Sequence, residues 1–211
     1  MTRATMPRHF PESYVDLLSR IEAQFDESAR TLRSSSEVLS GPIALAAEVM
    51  VESLLGNGKI LACGNGSSAA DAQHFVAKMM GRFERDRPQL AVVSLSADTA
   101  VLTSLANIYQ YGQVFARQIA TLGQPGDVLL VISASGRSDN VLSAIQAAHE
   151  RDMRVVALTG RNGGHVTELL GEQDIHICAP HDRVARIQEV HLLALHCLCD
   201  GIDCLLMGEE N

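Results

Sequence analysis

The chain reads as an α/β protein built on a five-stranded parallel sheet with helices on both faces. Three observations predict this. Five short apolar runs recur at about 59–63, 90–95, 127–132, 154–159 and 174–178. Patterns of helical period separate them, the alternation that builds parallel sheets. Two of the runs end in glycine- and serine-rich turns that open directly into helices. Backbone amides, small hydroxyls and a helix N-terminus at the end of a parallel strand make an anion site.

Taken in order, residues 1–11 read as a flexible tail. Leu17, Ile21, Phe25 and Leu32 then form one apolar stripe, with Asp16, Arg20, Glu27 and Arg30 around it. Gly41-Pro42 is expected to end this helix and start a second over 43–55, closed by Gly56-Asn57-Gly58. Residues 12–57 therefore read as a helical pair outside the sheet unit, which spans 58–207. Such a pair packs on another copy of the chain, or else forms a lid over one sheet face. Within the unit, helices are expected at about 68–80, 98–121 with a break near 109–112, 138–151 and 163–170, and a long last one at 183–207.

Composition narrows the function classes. The 211 residues suffice for a full core, and 46% of them are hydrophobic. A formal charge of −8 argues against direct nucleic-acid binding through phosphate neutralisation. Five cysteines, scattered through apolar segments, read as reduced thiols in a cytoplasmic protein. No apolar run stands out as membrane-spanning, and the first residues lack the apolar core of a signal peptide. Cys197, Cys199 and Cys204 fit no zinc-knuckle spacing and read as buried thiols.

The chemistry concentrates in two loops. The first is Gly64-Asn65-Gly66-Ser67-Ser68, followed on its helix by His74. The second is Ser133-Ala134-Ser135-Gly136-Arg137-Ser138. Neither is a Walker A loop, and neither is a dinucleotide fingerprint. Asn65, Gly66, Ser67, Ser68, Ser133, Ser135 and Ser138 are the candidate contacts for one phosphate held from two sides, with Arg137 stacked over the loop or paired with it. The serines could instead serve only as helix caps. His191 and His149 read as structural.

These loops, with Ala69-Ala70-Asp71-Ala72-Gln73-His74-Phe75, Gly81-Arg82-Phe83-Glu84, Gly126-Asp127-Val128, Ala157-Leu158-Thr159-Gly160 and Arg186-Ile187-Gln188-Glu189-Val190-His191, resemble the sugar isomerase (SIS) domain. The match is nearer still to its phosphoheptose isomerase branch, which also includes the DnaA initiator-associating protein. The resemblance implies a flavodoxin-like sheet, a homotetramer and phosphosugar ligands of the heptose 7-phosphate class. It places His74, Gln188 and His196 at the catalytic positions. It makes the same three the ligands of the zinc that some members bind; no cofactor is otherwise implied.

Four departures from the family pattern sit near those positions. Lys78 stands where the family carries a glutamate, Ala134 for a threonine, Ile108 for an aspartate and Ala185 for another. A protonated lysine cannot accept a proton from carbon, and its charge opposes a divalent cation. The expectation from these departures is a phosphosugar-binding regulatory protein with little turnover and a replication-initiator protein as partner. The alternative is D-sedoheptulose 7-phosphate isomerase.

Overall fold

A computed structural model describes residues 16–208, so the expected tail at 1–11 lies outside the described residues. Five parallel strands form one sheet in the order β2-β1-β3-β4-β5: β1 Ile60–Gly64, β2 Val92–Ser94, β3 Val128–Ser133, β4 Arg154–Thr159 and β5 Ile175–Cys178. β1 is in register with β3 from Ile60↔Val128 to Gly64↔Ile132. Chain order reverses between these two strands, so the crevice at their C-terminal ends is the switch point of the sheet.

Among the described residues, six α-helices cover the faces: α1 Leu17–Leu55, α2 Ser67–Met80, α3 Thr99–Tyr109, α4 Val114–Leu122, α5 Asp139–His149 and α6 Val184–Met207. Alternate strand residues feed two cores, because successive side chains leave a strand on opposite faces. Ile60, Ala62, Leu130 and Ile132 pack with Met50, Phe75, Leu195 and Leu198 from α1, α2 and α6. Leu61, Cys63, Leu129 and Val131 pack with Phe115, Ile119, Val141 and Ile145 from α4 and α5. Burial on both sides explains why the strands appear in the sequence as unbroken apolar runs.

Two expected elements differ. Gly41-Pro42 does not divide the N-terminal region: α1 is one helix of 39 residues with Pro42 inside it. The buried positions Thr31, Ser35, Leu39, Ala46, Met50 and Ser53 keep one helical face on either side of the proline. That continuous packing outweighs the cost of one missing amide donor. The helix expected at 163–170 is a 3₁₀ stretch, Arg161–Glu168, interrupted by Asn162, Gly163 and Gly164 at positive φ. The break near 109–112 occurs as expected, at Gln110 with φ 70°.

Both α1 and α6 contain a stretch long and apolar enough, by length and composition, to cross a membrane, which corrects the expectation that none does. In this fold Ile187, Val190, Ala194 and Ile202 of α6 are buried in the first core. A polar cluster ties the two helices together. Arg186 donates to the Gln24 carbonyl at 2.7 Å and to Glu189, and Ser28 donates to Glu189 at 2.6 Å. The first turns of α1 extend past this cluster with Leu17, Ile21 and Phe25 exposed by 64%, 53% and 74%.

Candidate active site

The site forms at the switch point. β1 runs into the turn at Asn65-Gly66, where Gly66 has φ 58° and ψ −122°, a conformation that side-chain-bearing residues avoid. The turn starts α2 at the strand end, with the Ser68 amide donating to the Asn65 carbonyl at 3.0 Å and the Ala69 amide to the Gly66 carbonyl at 3.1 Å. β3 runs into Ser133-Ala134-Ser135-Gly136, where the Gly136 amide donates to the Ser133 hydroxyl at 3.2 Å. The two loops and the start of α6 enclose a cavity of about 240 Å³, lined by Asn65, Ser67, Ser68, Ile132, Ser133, Ala134, Ser135, Ser138, Val184 and Gln188. Of the predicted anion contacts, Gly66 and Arg137 do not line it; Arg137 is exposed at the outer edge of its loop.

Two contacts that the sequence did not reveal fix the cavity. Asn65 and Asn140 exchange side-chain hydrogen bonds, Asn65 Nδ2 to Asn140 Oδ1 at 2.8 Å and Asn140 Nδ2 to Asn65 Oδ1 at 2.9 Å. The Tyr111 hydroxyl also donates to Asn65 Oδ1 at 3.2 Å. This clamp joins the first loop to the helix that follows the second. No local pattern marks Asn140, because its partner is 75 residues away. Alanine at both Ser68 and Ser135 should weaken phosphosugar binding by about 1–3 kcal/mol, read by calorimetry; unchanged affinity would remove the anion assignment.

α2 and α6 run side by side from the cavity and meet at two rungs. Gln188 Nε2 donates to the Ser67 hydroxyl, and His74 Nε2 lies 3.1 Å from His196 Nε2. The spacing from Ser67 to His74 is two turns, about 10 Å along the axis. Asp71 falls on the same stripe, a further residue that sequence reasoning passed over. Burial raises the Asp71 carboxyl above its usual range while the charge of His74 pulls it back. His74 is shifted the other way. Burial lowers its pKa below 6.5, His196 and Lys78 lower it further, and Asp71 opposes them. Lys78 lies one turn beyond His74, with Nζ 5.9 Å from the centre of the Phe83 ring. That ring packs on His196 with centroids 5.5 Å apart.

Among the described residues, the histidine pair has no third His, Cys, Asp or Glu donor beside it. His74 and His196 offer two ring nitrogens, and among the described residues no group of three His, Cys, Asp or Glu side chains could hold an ion. Gln188, the third expected ligand, meets α2 at the other rung, where its amide nitrogen donates to the Ser67 hydroxyl. A tetrahedral zinc needs three protein donors at the least, and Lys78 adds a positive charge beside the two present. The α6 cysteines differ from one another: Cys199 is buried, its thiol pushed up to about 12 by desolvation, but Cys197 is exposed and Cys204 is only partly buried. His191 is structural, buried and hydrogen-bonded to the Thr159 carbonyl at 2.9 Å, and His149 pairs with Asp174 at 2.7 Å.

A parallel α/β unit with two serine-lined loops around one cavity at its switch point defines the class of α/β proteins that bind ligands at their strand ends. Comparison with known proteins agrees with that class. Residues 24–160 match the family described as SIS domain. The phosphoheptose isomerase of Azoarcus sp. (strain BH72) is 62% identical over 93% of this chain and 100% of its own. That of Aromatoleum aromaticum is 60% identical over the same shares. The structure of phosphoheptose isomerase GmhA from Neisseria gonorrhoeae superposes with a TM-score of 0.85 at 50% identity, covering 89% of this chain and 98% of that one. A phosphoheptose isomerase from Francisella tularensis gives 0.87 at 44%, covering 90% and 99%. The chain belongs to the SIS-domain proteins and, within them, to the phosphoheptose isomerase family.

This overturns the regulatory reading drawn from Lys78, Ala134, Ile108 and Ala185. Identity of 60–62% to phosphoheptose isomerases runs over essentially their whole length. The four departures are point changes inside that likeness, and the histidine pair and the serine-lined cavity are in place despite them.

Proposed function

We propose that the protein is a phosphoheptose isomerase that interconverts D-sedoheptulose 7-phosphate and the aldose heptose 7-phosphate. The observation that carries this is the histidine pair standing two turns along α2 from a serine-lined anion cavity. That reach of about 10 Å suits a sugar of six or seven carbons bound by its terminal phosphate, and exceeds that of a triose. Ser68, Ser133, Ser135 and Ser138 hold the phosphate, with the positive end of the α2 dipole adding to the attraction. Asn65, Ser67 and Gln188 face the sugar hydroxyls.

The reaction moves one proton between adjacent carbons. The proton on C1 of the ketose leaves for the histidine pair, the C1 hydroxyl becomes the carbonyl, and the C2 carbonyl oxygen takes up the hydroxyl proton. The pair then returns a proton to C2, so no oxidant or reductant is consumed. His74 is suited to this because burial and its neighbours keep it neutral, and therefore able to accept a proton, at neutral pH. Asp71 stands within electrostatic reach of the imidazolium that forms.

The direct test is incubation of the pure protein with sedoheptulose 7-phosphate, followed by detection of the aldose product. No conversion above the uncatalysed background would reject the assignment. We further place the protein in the cytoplasm as a homotetramer. Leu17, Ile21 and Phe25 on the overhanging end of α1 meet the helices of another copy. Light scattering should report four chains per particle at micromolar concentration. A monomer there would show that this end of α1 has no partner copy.

A further inference from the structure

Among the charged groups that act on His74, Lys78 is the cation outside the histidine pair. Lys78 follows His74 by one turn of α2, and its ammonium and the ring of His196 lie against the same Phe83 ring. The side chain is half-buried. Its main chain is fixed as well, since Arg87 donates to the Lys78 carbonyl at 3.0 Å. Withdrawing a proton from the carbon beside a carbonyl puts negative charge on the carbonyl oxygen. A fixed positive charge close to that oxygen lowers the barrier, and a Lewis-acid metal or an ammonium group can supply it. This site has two imidazole nitrogens and, among the described residues, no third His, Cys, Asp or Glu beside them to complete a tetrahedral ion, and it already holds a cation.

We propose that Lys78 is the resident positive charge of this active site and takes the place of a divalent metal, making the enzyme metal-independent. The kinetic part rests on the isomerase reading given above; the metal-binding part does not. Lys78 acts in two ways. Its charge disfavours any second cation between His74 and His196, and it stabilises the oxyanion formed while the histidine pair holds the carbon-derived proton. The bond changes are those of the isomerisation itself, and no co-reactant is added.

The test uses full-length protein in four forms: wild type, Lys78→Gln, Lys78→Arg and Lys78→Glu. Zinc chloride is titrated by calorimetry after chelator treatment, and turnover of sedoheptulose 7-phosphate is measured with and without EDTA. Wild type should bind zinc at least ~100-fold more weakly than Lys78→Glu, which places a carboxylate donor one turn from His74. EDTA should leave wild-type turnover unchanged. Lys78→Gln should lose on the order of 100-fold in kcat with little change in KM, and Lys78→Arg should recover much of that loss. Wild type that binds zinc as tightly as Lys78→Glu, wild-type turnover abolished by EDTA, or Lys78→Gln with wild-type kcat would each overturn the proposal. If wild type shows no turnover, the isomerase reading fails, and the zinc titration still decides whether Lys78 excludes a metal.

Discussion

Replacing His74 or His196 with alanine should lower kcat for sedoheptulose 7-phosphate by about two to four orders of magnitude, the usual worth of a placed proton acceptor. The two substitutions should not add, because the nitrogens stand 3.1 Å apart and act as one proton-holding unit. KM should change far less, since neither ring lines the serine cavity. The acid limb of the wild-type pH profile should have its midpoint below 6.5. Burial, His196 and Lys78 all push His74 in that direction, and Asp71 alone among its charged neighbours opposes them. Steady-state kinetics from pH 5 to pH 8 would measure this. Full activity in His74→Ala would remove the histidine pair from the mechanism.

The largest effect on stability is expected from Arg87. Its guanidinium is buried and donates to Asp203 Oδ1 at 2.5 Å and to the Met79 carbonyl at 2.8 Å. It thereby joins α6 to the last turn of α2, whose carbonyls have no partner within the helix. Arg87→Ala would leave the Asp203 carboxylate buried without its counter-ion, and Asp203 Oδ2 already lacks a hydrogen-bond partner. Breaking such a pair from one side costs about 3–5 kcal/mol. The Arg87→Met/Asp203→Leu double variant should lose much less, because no lone charge stays inside. Urea unfolding of the three proteins at one pH gives the comparison. Equal stability of Arg87→Ala and wild type would show that the pair contributes nothing.

The sheet was legible in the sequence because its strands are buried on both faces, and Val128–Ile132 or Val155–Leu158 can belong to little else. Both serine loops were legible because each pairs a strand end with a helix start. What local pattern hid was long-range. The continuity of α1 through Pro42 depends on packing by Leu39, Ala46 and Met50 on either side of it, which a Gly-Pro pair in isolation argues against. Asn140 gives no sign of its role until Asn65 is brought beside it. Lys78 was legible as a change of chemistry at one position. Reading that change as a change of function gave too little weight to the likeness spread over the rest of the chain.

The paired amides of Asn65 and Asn140 carry a consequence for how ligands are chosen. With the two loops cross-braced before anything binds, little motional freedom remains to be surrendered when an anion enters. A braced cradle cannot reshape itself around a poorly fitting guest. Discrimination among sugar phosphates should then act by exclusion at the doorway, with wrong substrates failing to dwell, and not by selective closure after entry.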